Sequence, residues 1–166
     1  MRALLGLGGN LGNPRMAMAE ALARLDRAAG RITRVSRLYR TPPWGLTEQP
    51  DFLNCCAELQ TVLEPEMLLE CCLETERRLH RVRDVRWGPR TIDIDILDSA
   101  GERRATDALT LPHPQVTRRA FVLVPLAEIA PDAEFGGRTV EAWLADLDAS
   151  AIRSETADGE WWRSVA

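Results

Sequence analysis

The chain predicts an α+β fold: a ferredoxin-like antiparallel sheet with helices packed on it, three-layer α/β/α overall. Three observations carry that reading. Short apolar runs at residues 3–7, 32–39 and 52–63, and an alternating one at 92–96, have the length and side-chain rhythm of strands. Two longer stretches, opening at Asn13-Pro14 and at Pro65, repeat their apolar residues at helical spacing. Their order is β-α-β twice over, the split pattern of a sheet with its two long helices on one face. At 166 residues, 45% apolar and 28% charged, the chain is expected to form a single domain with a polar tail from about residue 150.

Residues 3–7 end in glycines, as a buried first strand does. Gly6-Leu7-Gly8-Gly9-Asn10-Leu11-Gly12 approaches a dinucleotide-binding fingerprint, but Leu11 stands where the third glycine belongs, so the match fails. Asn13 then caps a helix with Pro14 at its first position; Met16, Ala19, Leu22, Ala23 and Leu25 form its core stripe, and Gly30 stops it. Residues 32–39 read as one strand, ended by Thr41-Pro42-Pro43-Trp44-Gly45, because neither proline can donate to a ladder. A loop to about Asp51 presents Trp44, and loops of this length often carry function. Residues 52–63 resume as a strand. Pro65 opens a helix with Met67, Leu68, Cys71, Cys72 and Leu79 on one broad apolar face. Beyond the next strand, residues 98–104 turn around Gly101, residues 139–147 form a last helix, and residues 150–159 are polar. Trp161-Trp162 is unusual for a free tail.

The chemistry centres on residues 86–97, Arg-Trp-Gly-Pro-Arg-Thr-Ile-Asp-Ile-Asp-Ile-Leu. Side chains alternate between faces of a strand, so Ile92, Ile94 and Ile96 share one face while Asp93 and Asp95 share the other. Adjacent same-face carboxylates repel and call for a cation. Magnesium suits them, since it is usually held by one or two carboxylates plus water and substrate phosphates. A bare Asp-x-Asp is more often a solvated strand face. Here Arg77, Arg78, Arg81, Arg83, Arg86 and Arg90 stand close upstream, a positive field suited to a polyphosphate. The aspartates are expected to face away from the two long helices or toward the rim of the sheet.

Composition excludes other chemistries. All 21 basic residues are arginine, so a Walker-type phosphate loop and Schiff-base catalysis, which need lysine, are ruled out. A net charge of -4 argues against a duplex nucleic-acid binder, and no nucleic-acid partner is expected. The vicinal pairs Cys55-Cys56 and Cys71-Cys72 lack metal-site spacing and read as buried thiols in a reducing compartment. The N-terminus resembles neither a signal peptide nor a spanning helix, so the expectation is a cytoplasmic protein without a membrane partner. No Ser-His-Asp set is assembled by His80 and His113, the two histidines.

Residues 36–45, Ser-Arg-Leu-Tyr-Arg-Thr-Pro-Pro-Trp-Gly, residues 49–54, Gln-Pro-Asp-Phe-Leu-Asn, residues 86–97 and the stretch from Leu111-Pro112-His113 to Phe121 closely resemble the 6-hydroxymethyl-7,8-dihydropterin pyrophosphokinase family of folate synthesis. The likeness runs from about Leu5 to Pro131. It implies transfer of pyrophosphate from ATP to the hydroxymethyl group of the reduced pterin alcohol, with release of AMP, on a ferredoxin-like scaffold. By matching motif positions, Asp93 and Asp95 would hold two Mg2+ ions, with Arg81 and Arg90 neutralising charge on the moving phosphoryl group. Glu76, Arg83, Trp87, Arg90, Ile96, Thr110, His113 and Arg119 would contact the nucleotide. Thr41, Pro42, Trp44, Phe52, Asn54 and Phe121 would form the pterin pocket, the bicyclic ring between the two phenylalanines. A monomer is expected, and the loops bearing Trp44 and Trp87 are expected to close over the substrates.

Two other readings compete. One is a metal-dependent phosphohydrolase built on the same aspartates and arginines, separated by its product: phosphate or ADP rather than pterin-dependent AMP. The other is a non-enzymatic nucleotide- or RNA-binding module, which would bind without magnesium-dependent turnover and lacks here the paired aromatic sheet motif of common RNA readers.

Overall fold

The computed structural model describes residues 1–43, 47–79 and 91–163. The chain runs β1 (Arg2–Gly9), α1 (Pro14–Ala28), β2 (Arg31–Val35), β3 (Tyr39–Thr41), β4 (Phe52–Gln60), α2 (Pro65–Arg78) and β5 (Asp93–Ser99). Two short hairpin strands, β6 (Arg104–Ala105) and β7 (Thr110–Leu111), lead through a 3-10 turn at Val116–Arg118 into α3 (Ala120–Ile129). A second small hairpin, β8 (Glu134–Phe135) and β9 (Arg138–Thr139), precedes α4 (Val140–Ala145) and a final strand, β10 (Arg153–Ser154). The main sheet has the order β10-β3-β4-β1-β5, with β2 also paired to β4, and its pairs are antiparallel.

Two apolar layers cover the two faces of this sheet, which makes the architecture α/β/α as the element order predicts. On one face Leu5, Leu7, Cys55, Leu59, Ile94 and Ile96 pack against Met18, Leu22 and Leu25 of α1 and Leu68 and Cys72 of α2. On the other, Leu4, Cys56 and Leu97 meet Leu123, Leu126 and Ile129 of α3 and Val140 of α4. Alternation along each strand decides which residue goes where, so Cys55 and Cys56 fall into opposite layers. Burial pushes the Cys55, Cys56 and Cys72 thiols well up, while Cys71 is half-buried and raised less. Among the four cysteines, only Cys71 is therefore expected to react with a thiol reagent in the native protein near pH 8; rapid modification of Cys55 or Cys56 would contradict this packing.

Several boundaries differ from the sequence reading, each for a local reason. Asn13 accepts from Met16 N at 3.1 Å and Pro14 opens α1, but Met16 lies in the exposed first turn and the buried stripe starts at Ala17 and Met18. Met67 is likewise exposed, because the face α2 buries is the narrower one of Leu68, Cys72, Thr75 and Glu76. The single strand expected at 32–39 is two strands. Ser36 interrupts it: its hydroxyl accepts from Cys56 N at 3.0 Å and donates to Arg37 O at 2.7 Å, a local alternative to the ladder. The strand expected over 52–63 ends at Gln60, where Thr61 turns the chain by donating to Ala29 O and accepting from Leu63 N. The last helix is shorter than 139–147, with Thr139 as its cap accepting from Ala142 N. The apolar run 122–126 belongs to α3. The polar tail is no loose end: it contains β10 and buries both Trp161 and Trp162.

Candidate active site

The candidate site occupies the sheet face opposite α1 and α2. Ile94 and Ile96 point into the core beneath those helices, so Asp93 and Asp95 point the other way, both half-buried. The register then aligns a row of side chains. Asp93 stands opposite Gly8, Gly8 opposite Asn54, and Asn54 opposite Tyr39; to one side of this row Asp95 stands opposite Gly6, and to the other side Phe52 stands opposite Thr41. With strands about 4.8 Å apart, the carboxylate of Asp93 and the amide of Asn54 originate about 10 Å from one another, across a strand that offers no side chain between them.

That gap is built by glycine. A Cβ placed on Gly8 would lie 2.5 Å from Asn54 Oδ1, so the amide occupies the space a side chain would fill. Asn54 Nδ2 in turn donates to Thr41 Oγ1 at 3.2 Å, which orients the amide from the β3 side. Sequence reasoning missed Gly6 and Gly8, weighing them only as a failed nucleotide fingerprint. The signal was present: two glycines two residues apart in a leucine-rich strand must share one face. Asn10 was missed as well. It is buried, and its Nδ2 donates to Gln49 Oε1 at 3.0 Å and Pro50 O at 2.9 Å, tying the end of β1 to the segment that leads into Phe52.

Glu76 is buried on α2 and accepts the Ile94 N–H at 2.9 Å, the amide lying between the two aspartates. Its carboxylate thus braces β5, the outermost strand of the main sheet among the described residues. His113 donates its main-chain N–H to Leu97 O at 2.9 Å, docking on the same strand farther along. Its Nδ1 accepts from Gln115 N at 3.1 Å, so Nε2 carries the proton of the neutral ring. Burial holds the His113 pKa below its usual value and Arg119 lowers it further, while Asp93 acts in the opposite sense. Arg119 also lies 5.6 Å from the centroid of the Phe121 ring, on the first turn of α3. Cys56 Sγ, 3.6 Å from Val122 O, fixes that turn over β4 two residues along from Asn54.

The structure therefore gathers Asp93, Asp95, Thr41, Phe52, Asn54, His113, Arg119 and Phe121 around one sheet face. Ile96 is different: its side chain is in the core below α1 and α2, so only its main chain is available to a ligand. Thr110 is exposed on the β6–β7 hairpin, and Pro42 is exposed just beyond β3. Trp44, Arg81, Arg83, Trp87 and Arg90, like His80, lie outside the described residues. Among the described residues no group of three or more His, Cys, Asp or Glu side chains is placed to cage a metal. Two same-face carboxylates beside side-chain-free glycines instead fit a magnesium ion that keeps water and phosphate oxygens as its remaining ligands.

Paired carboxylates on an α/β/α scaffold, preceded in the sequence by an arginine-rich segment, define a phosphoryl-transfer enzyme of the ferredoxin-like class. Residues 4–131 match the model of the 7,8-dihydro-6-hydroxymethylpterin-pyrophosphokinase (HPPK) family, and the chain belongs to that family. It is 52% identical over 152 residues to the 2-amino-4-hydroxy-6-hydroxymethyldihydropteridine pyrophosphokinase of Methylorubrum extorquens, covering 91% of this chain and 96% of that protein. Its identity to the enzyme of the same name from Bacillus subtilis is 42% over 152 residues, covering 91% and 88%. Among solved structures, the HPPK-DHPS triple mutant of Plasmodium falciparum with pteroate superposes with a TM-score of 0.67 at 15% identity, covering 87% of this chain. This chain spans 42% of that longer one, and the likeness establishes the shared fold.

Proposed function

We propose that this protein transfers the terminal pyrophosphoryl group of ATP to the hydroxymethyl oxygen of 6-hydroxymethyl-7,8-dihydropterin, giving AMP and the pterin diphosphate, a step of folate synthesis. The observation that supports the reading is the row Asp93, Gly8, Asn54: an amide and a carboxylate stand on either side of a residue with no side chain, and the reading gives the pterin to the amide and the phosphates to the carboxylate. The family relationship supports the same activity. In this reading the whole chain acts as one pyrophosphokinase domain, a monomer, in the cytoplasm.

The pterin ring lies between Phe52 and Phe121, where a flat heteroaromatic stacks well, and Asn54 supplies both a donor and an acceptor for its polar edge. Thr41 keeps that amide in one orientation. Pro42 and Trp44 complete the pocket. Asp93 and Asp95 hold Mg2+, two ions in this reading, which when bound neutralises the triphosphate and polarises its phosphoryl oxygens. Glu76 keeps the strand that bears them in place and stands beside the nucleotide. His113, neutral, directs its Nε2–H toward phosphate, and Arg119, Arg81, Arg83 and Arg90 supply permanent positive charge. Trp87, Thr110 and the main chain of Ile96 meet the rest of the nucleotide.

The hydroxymethyl oxygen attacks the β-phosphorus, the bond from that phosphorus to the oxygen bridging it to the α-phosphorus breaks, and AMP leaves carrying that oxygen. The hydroxyl proton passes to solvent. Such a transfer needs alignment and electrostatic stabilisation and no covalent enzyme intermediate, which matches a site of carboxylates, arginines and aromatic rings. The test is direct. AMP should form from ATP only when the pterin alcohol and Mg2+ are both supplied; release of phosphate or ADP without the pterin would favour a phosphohydrolase instead. Phe121→Ala should raise the KM for the pterin by at least about tenfold through lost stacking area, with the KM for ATP within about twofold. Equal KM values for the pterin in the two proteins would exclude the sandwich.

A further inference from the structure

The segment beyond α4 lies outside the family match, which ends at residue 131, yet it is built into the edge of the main sheet next to the pterin side of the site. β10 pairs with β3, Arg153 opposite Arg40 and Ser154 opposite Tyr39. Glu155 N donates to Leu38 O at 2.7 Å, and Leu38 N donates to Thr156 Oγ1 at 3.1 Å. Trp161 Nε1 donates to Ser36 O at 2.9 Å, while both tryptophan rings are buried in the core beneath. Gly159 passes so close to β2 that a Cβ there would lie 1.9 Å from Val35 O. The main-chain groups left over where Ser36 breaks the strand are thus taken up by the tail.

Where this strap is anchored matters. β3 is three residues long, and β10 is the strand on its side away from β4. Its Thr41 hydroxyl accepts the Asn54 amide, and its Tyr39 hydroxyl donates to Glu128 Oε1 of α3 at 2.5 Å, which locks the helix bearing Phe121 to the same strand. Glu155 extends the link at the surface: it binds Arg40 at 2.6 Å, and the same guanidinium lies 4.0 Å from Asp51, next to Phe52. Thr41, Asn54, Phe121 and Phe52 all depend on the position of β3.

We propose that the C-terminal strap is a positioning element for the pterin half of the site: by holding residues 36–40 in place it fixes the Thr41 hydroxyl, and through it the orientation of the Asn54 amide. The proposal rests on the assignment of Asn54 to the pterin. It separates the two substrates, because the aspartates lie on β5, on the opposite side of β4 and β1 from the strap.

The test uses the full chain carrying Thr156→Val, which at nearly constant volume removes the hydroxyl that accepts from Leu38 N and donates to Asp158 O, and Trp161→Phe, which removes the indole N–H donor and part of a buried ring. The KM for the pterin alcohol should rise roughly tenfold, while kcat and the KM for ATP stay within about twofold. Thr156→Ser, which keeps the hydroxyl, should behave as the unaltered protein. A fall in Tm with both KM values unchanged, or an equal rise in both, would overturn the proposal and leave the strap a purely structural feature. If the double variant does not fold, Thr156→Val alone carries the comparison. Should the unaltered protein form no AMP with the pterin, the functional reading fails, and the strap is judged by NMR. A shift of the Asn54 side-chain amide resonances in the variant upholds the coupling to β3, and unchanged resonances refute it.

Discussion

Asp95→Ala is expected to lower kcat for AMP formation by about 10³-fold or more at saturating Mg2+ and substrates, the scale of losing a principal electrostatic contact to transferring phosphate. The carboxylate stands on the outward face of β5, beside Asp93 and across from Gly6, while the residues that anchor the strand are Ile94 and Ile96 on the face below. Removing it takes away half of the paired charge without touching the core, so the far-UV spectrum and cooperative unfolding should be retained. Asp95→Asn should fare little better, since an amide of the same shape brings no negative charge to a divalent cation. The two variants together separate charge from shape. Turnover within about tenfold of the unaltered protein for Asp95→Ala would remove the aspartates from the chemistry.

How much of this was legible in the sequence differs between strand faces and everything built across strands. The outward placement of Asp93 and Asp95 follows from period-two alternation, a property of a single strand, and the helices follow from their caps and stripes. What alternation cannot supply is register. Nothing local to residues 6–8 says that Gly8 will face Asn54 on one side and Asp93 on the other, because those pairings join segments 46 and 85 positions apart. The tail shows the same limit. Arg153 and Ser154 have no strand pattern of their own; they pair because Ser36 disrupts the ladder and leaves Leu38 in need of partners. Glu76 also has a role that depends on a distant partner: the family resemblance offers it only as a nucleotide contact, and it becomes a brace once Ile94 is placed beside it.

In the proposed reading, the register links the two substrate halves through Gly8, a residue with no side chain. Gly8→Ala is expected to raise the KM for the pterin by about 10²-fold, on the scale of leaving buried hydrogen-bonding groups unpaired. The added methyl would sit 2.5 Å from Asn54 Oδ1, far inside van der Waals contact. Leu53 O is 3.5 Å from the same point, an ordinary contact, so the main chain tolerates the methyl and the amide is what must move. Displacing it breaks the 3.2 Å hydrogen bond to Thr41 and turns away the edge proposed to read the pterin. Because Gly8 is extended and not among the glycines with positive φ, alanine brings no backbone strain, and the loss should appear in binding far more than in Tm. Titration calorimetry with the pterin alcohol, set against binding of an unreactive ATP analogue with Mg2+, reads the two halves separately. Pterin affinity unchanged by the methyl would mean that Asn54 does not hold the substrate, and the row from Asp93 to Asn54 would lose its meaning as an active site.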